Sequence, residues 1–157
     1  MKLTYFLKTL KGVPLSYDFG LYTYGPFDSD VLDDLKYAEA LRAVEGDVTF
    51  YVTGGKGYQY RPGSHIDEVT SCAKAFLSQH SKSIDWVLKN FGARSAQDLE
   101  MTSTIIFVDR ATLENGTKQK IPELVRKVRA VKPYLSSEAI EREAQESKKK
   151  GLLLAVE

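Results

Sequence analysis

The sequence predicts a mainly α protein, α+β in kind, with one β-hairpin set among helices. Apolar residues recur at helical spacing over most of the chain, as in Leu3, Phe6, Leu7 and Leu10, or Ile84, Val87, Leu88 and Phe91. One stretch breaks that rhythm. Val48, Phe50 and Val52 alternate, TGGKG turns, and Tyr58 and Tyr60 alternate back, which predicts a hairpin at 47–61. The chain of 157 residues has the length of one domain, enough to bury roughly 68–70% of its unfolded surface.

Each element has a local reason. Residues 2–11 form an amphipathic helix that stops at Gly12, and VPLSYDFGLYTY runs extended through Pro14 and Gly20. Gly25-Pro26 fixes a reversal, because Pro locks its own φ and keeps Gly25 out of the helical region. The aromatics around it are expected to fill a core layer, the alternative being an exposed binding surface. Asp28 or Ser29 then caps a helix reaching about Val44, with Val31, Leu35, Ala38 and Leu41 on its apolar stripe. Asp30, Asp33 and Asp34 fall on its solvent side.

After the hairpin, Pro62-Gly63 ends the strand and Ser64 with Asp67 opens a helix that turns Ile66, Val69, Ala73, Phe76 and Leu77 inward. Ser81 or Ser83 starts another, with Gly92 as its left-handed terminator and Trp86 off its apolar stripe. Ser95 and Asp98 open a helix across LEMTSTIIFVDRATL, preferred to a strand despite its β-branched run. ENGTKQK is a loop. Pro122 starts a helix with Leu124, Val125, Val128 and Val131 inside and Arg126 and Arg129 outside, and Pro133 stops it. Ser136 or Ser137 caps the last helix, which ends at KKKGLLL. Residues 1–157 are read as a single domain. Its first half, 1–62, has the winged-helix order of helix, extended segment, helix and hairpin, and is expected to pack against helices from 63–157.

Composition excludes several classes of function. With 43% hydrophobic and 27% charged residues and no long apolar run, membrane insertion is not expected. A single cysteine excludes an intrachain disulfide and fits a reducing, cytoplasmic setting. The formal net charge of +1 supplies no general attraction to nucleic acid. Local charge is uneven: seven acids face Lys36 and Arg42 between Asp28 and Asp47, while six bases face Glu123 alone between Lys118 and Lys132. No catalytic or cofactor signature is present. GGKG lies between strands and lacks the frame of a phosphate loop. His65, Cys72 and His80 sit two helical turns apart, too far to share one metal ion.

The stretch KLTYFLKTLKGVPLSYDFGLYTYGPFDSDVLDDLKYAEALRAV, with its lysine-led helix and Tyr-x-Tyr-Gly-Pro corner, resembles the Panacea domain family, similar to the antitoxin SocA, and the related YwgA-like bacterial proteins. LEMTSTIIFV and VKPYLSSEAIEREAQESKKKGLL are similar to the second half of that family. Its members carry a further helix before the lysine-led one, where this chain begins at that lysine. With no cofactor signature in the residues, no cofactor is expected; the resemblance implies a mostly helical fold and no known enzymatic activity. For some members it implies toxin neutralisation or an adaptor role through protein contacts, and it carries over to Tyr22, Tyr24, Gly25, Pro26 and Phe27.

These readings nominate Tyr22, Tyr24, Phe27, Asp30, Asp33 and Asp34 as contacts for another protein, a toxin being one candidate. The alternative is a DNA-binding winged-helix regulator touching phosphates through Lys56, Arg61, Arg126 and Arg129. Four aspartates at the start of its recognition helix oppose that alternative, whereas acidic residues select a basic protein surface.

Overall fold

The structure, a computed structural model, describes residues 1–50 and 56–157, with Lys56 described by its backbone. The elements in order are α1 (Lys2–Lys11), β1 (Gly20–Tyr22), β2 (Gly25–Phe27), α2 (Ser29–Ala40), β3 (Val44–Phe50), β4 (Lys56–Pro62), α3 (Ile66–Cys72), α4 (Lys74–Phe91), α5 (Ala96–Glu114), α6 (Ile121–Val131) and α7 (Ser137–Lys149). The chain is mainly helical, with two small antiparallel hairpins, β1–β2 and β3–β4, in its N-terminal half. Helix, extended chain, helix and hairpin follow in the expected order, and the extended segment folds a short hairpin of its own. Val52 and most of the TGGKG turn lie outside the described residues. By their contacts the residues form two compact units, 1–28 with 83–157, and 29–82. The boundaries between these units fall after Asp28 and Lys82.

The first unit holds the core. Tyr5 and Phe6 of α1 are buried with Val87 and Phe91 of α4, Ile105 and Ile106 of α5, Leu124 and Val128 of α6, and Ile140 of α7. Phe6 stacks on Phe91 with ring centroids 4.2 Å apart. α1 stops where expected, at Gly12 in the left-handed conformation, φ 63°. α5 is the central helix, contacting α1, β2, α6 and α7. It buries Thr102, Ser103, Thr104, Ile105 and Ile106 in succession, so burial all round outweighs the strand preference of its β-branched residues. Ser95 caps it, Oγ accepting the Asp98 amide at 3.1 Å. After α7, Gly151 turns the chain back and buries Leu152, Leu153 and Ala155. Asp109, fully buried in α5, accepts the amides of Leu154 at 2.7 Å and Ala155 at 3.0 Å. Trp86 is half-buried beneath the Lys11 ammonium, 4.6 Å from its ring.

In the second unit several boundaries differ from expectation. α2 ends at Ala40 rather than near Val44 because Arg42 adopts a left-handed φ of 58°, with its amide bonded to the Glu39 carbonyl and the Ala43 amide to the Ala38 carbonyl. No break occurs at Ser81 or Ser83, since the Ser81 hydroxyl bonds back to the Ser78 carbonyl at 3.1 Å within continuous helix. The break falls instead at Ala73, between α3 and α4. Ser64 provides no cap, and α3 buries no residue; Ala73, Phe76 and Leu77 are exposed rather than turned inward. In the first unit α4 ends at Phe91, just before Gly92 as expected, although Gly92 does not take the left-handed conformation and its amide bonds to the Leu88 carbonyl.

Hairpin β3–β4 pairs Val44 with Pro62 through Phe50 with Lys56. Val48 lies opposite Tyr58 and Gly46 opposite Tyr60, so Val48, Phe50, Tyr58 and Tyr60 share one face, and all four are exposed. The other face carries Glu45, Asp47 and Arg61, joined by two ion pairs.

A clamped aromatic corner as candidate functional site

The Tyr-x-Tyr-Gly-Pro stretch is the tip of hairpin β1–β2. Tyr22 pairs with Gly25, leaving Thr23 and Tyr24 to make the reversal. Gly25 has φ 87°, and a Cβ there would lie 3.0 Å from Thr104 Oγ1 and 3.2 Å from Ser103 Oγ. Glycine therefore serves twice, allowing a left-handed backbone and a close approach to α5. Pro26 is fully buried beside it.

Two ammonium groups hold the backbone of this tip. Lys132 follows the last turn of α6, where Pro133 prevents the helix from continuing. Its side chain is 1% exposed, and Nζ donates to the carbonyls of Tyr22 (3.1 Å) and Thr23 and pairs with Glu100 Oε1 at 3.0 Å. Those three acceptors use all three N–H groups of a lysine, which is what lets a charged group remain buried. Lys2 Nζ donates to the Pro26 carbonyl at 2.7 Å. Burial pushes its pKa down to about 8, with Glu100 opposing and Lys132 adding to the shift. The Tyr134 hydroxyl donates to Glu100, and its ring lies 5.9 Å from Lys132 Nζ. Partial burial, then the bond to Glu100, then proximity to Tyr24 push the Tyr134 phenol up, so it stays a neutral donor.

Above this foundation Tyr22 is 67% exposed and Tyr24 72%, with Tyr134 also exposed. The expectation that the aromatics fill a core layer holds for neither tyrosine. Gly25 and Pro26 occupy the interior, and Lys132 takes the place beneath the turn, so the rings stand outward. Phe27 is half-buried, 5.5 Å from the Tyr22 ring.

The other nominated residues fall elsewhere. Asp30, Asp33 and Asp34 are exposed on α2 in the second unit, where Asp33 pairs with Lys36 at 2.9 Å. Arg61 is engaged by Glu45 and Asp47 across the hairpin. Arg126 is exposed, while Arg129 bonds Ser137 Oγ at 3.1 Å. Sequence reasoning missed Lys132, Glu100 and Lys2. The one available signal was a lysine directly before the helix-stopping Pro133, at the end of a helix whose other bases lie on its outer face. Cys72 is exposed, and among the described residues no group of His, Cys, Asp and Glu is arranged to hold a metal ion. Among them, too, no helix is long and apolar enough to cross a membrane. Comparison of the chain with protein-family models, with curated proteins and with solved structures gives no match.

Proposed function

We propose that this chain is a non-enzymatic regulatory module that acts by docking another protein on the aromatic corner. The observation that carries the reading is the contrast at Tyr22 and Tyr24, whose rings are exposed while the backbone beneath them is fixed by a buried ion pair. Rigid, amphipathic aromatic side chains lose little conformational freedom on binding and are enriched at the centres of interfaces. The resemblance to SocA-like and Panacea proteins supports an antitoxin or adaptor role, with a toxin as one candidate partner. On α2, Asp30, Asp33 and Asp34 favour a basic partner by steering its approach. A DNA role is less well supported, because Arg61 of the hairpin is neutralised by two carboxylates.

The test is affinity capture from the native host with the unmodified protein, a Tyr22→Ala/Tyr24→Ala variant, and Tyr37→Ala as an exposed-tyrosine control. The corner variant is expected to lose a partner that the control retains, at unchanged melting temperature. Equal capture by both variants overturns the reading, as does salt-sensitive DNA binding that disappears with Lys56→Ala or Arg61→Ala.

A further inference from the structure

An open cleft of about 340 Å³ is lined by α1, the segment before β1, and α5. That is the size of a small-molecule site. Its floor is aromatic: the buried Tyr5 ring meets Phe19 edge-on at 5.3 Å and lies 6.4 Å from Phe107. Burial pushes the Tyr5 phenol up, so the floor is uncharged. Four charged residues also line the cleft, Lys8, Arg110, Asp18 and Glu114, and they are not equivalent. The Arg110 guanidinium is spoken for, donating to Asp109 at 2.6 Å and to the Leu152 carbonyl at 2.9 Å. The Lys8 ammonium donates to the Tyr17 carbonyl but has no carboxylate in ion-pair range among the described residues. The Asp18 and Glu114 carboxylates, both exposed, accept no hydrogen bond and form no ion pair among the described residues. One unmatched cation and two unmatched anions therefore surround an aromatic floor.

We infer that this cleft binds a free aromatic α-amino acid as its zwitterion. The ring lies on Phe19 and Phe107, the ammonium group faces Asp18 and Glu114, and the carboxylate faces Lys8. A plain carboxylic acid meets two like charges there, and a plain amine leaves Lys8 unmatched. Aromatic faces also attract the ammonium group, which favours a ligand carrying both features. The inference does not depend on the docking role of the corner, because neither Tyr22 nor Tyr24 lines the cleft.

The experiment is a titration of the full chain by NMR, reading the Phe19 and Phe107 ring resonances, with L-phenylalanine, phenethylamine and 3-phenylpropionate in parallel. Saturable shifts are expected with phenylalanine, several-fold weaker binding with phenethylamine, and the weakest with phenylpropionate. Glu114→Gln, at an exposed helical position, is expected to weaken phenylalanine about fivefold, the upper range for an exposed ion pair. Lys8→Met is expected to remove the advantage of phenylalanine over phenethylamine. The inference fails if phenylalanine gives no saturable shift up to about 10 mM, a range that would still register a weak ligand. It fails equally if the three compounds bind alike, since the floor alone would then account for binding.

Discussion

Lys132 and Tyr24 sit within one corner and carry opposite consequences. Replacing Lys132 with Met strands two backbone carbonyls and leaves the Glu100 carboxylate without its cation. Removing one member of a buried pair costs about 3–5 kcal/mol, so Lys132→Met is expected to lower Tm by roughly 10 °C, as scanning calorimetry would show. Tyr24→Ala, at a position 72% exposed, is expected to leave stability within about 0.5 kcal/mol. Pro26→Ala, fully buried, is expected to destabilise. The sequence made part of this corner legible. Gly-Pro announced a reversal pressed into the interior, and Asp30, Asp33 and Asp34 fell on the exposed side of their helix as the apolar spacing required. The burial of Lys132 was not legible, because lysine is almost never fully buried and its three acceptors come from residues about 30 to 110 positions away. Only the assembled fold brings them together.

Among the elements, those with strong local signals were readable and those fixed by distant packing were not. The Ser95 cap and the glycine after α1 mark helix ends chemically, and both occur as expected. The three-residue strands β1 and β2 are too short for alternation to register, and their pairing depends on the anchoring of the tip to α5 and Lys132. The end of α2 carried no recognisable signal because arginine, not glycine, occupies the left-handed position. That choice leaves stability to be gained. A left-handed residue with a Cβ costs about 1–2 kcal/mol, and glycine's greater unfolded-state freedom offsets part of the relief. Arg42→Gly is therefore expected to stabilise the second unit by about 0.5–1 kcal/mol, measured as a rise in its urea midpoint with unchanged slope. A fall in the midpoint would show that the Arg42 side chain contributes more than its backbone costs.

For the chain as one folding system, the titration of Lys2 gives a pH signature. Its folded value near 8 lies below the ordinary 10.5. Between those values the unfolded chain binds more protons than the folded one, so stability rises with pH, and below the folded value the penalty is constant. Measured from pH 8 to about 9.5, before the ordinary tyrosines ionise, urea stability is expected to climb in the unmodified protein and to lose that slope in Lys2→Met. An unaltered slope would assign the effect to another group. The first unit also has a history written into its chain order, since it is assembled from residues 1–28 and 83–157 with the second unit lying between them in sequence. Translation delivers α1 well before the later residues that share the core with Phe6, among them Phe91 and Ile105, which emerge only after all of 29–82. During synthesis α1 thus waits partly uncovered while 29–82 emerge, and its aromatic face is what a ribosome-associated chaperone would meet.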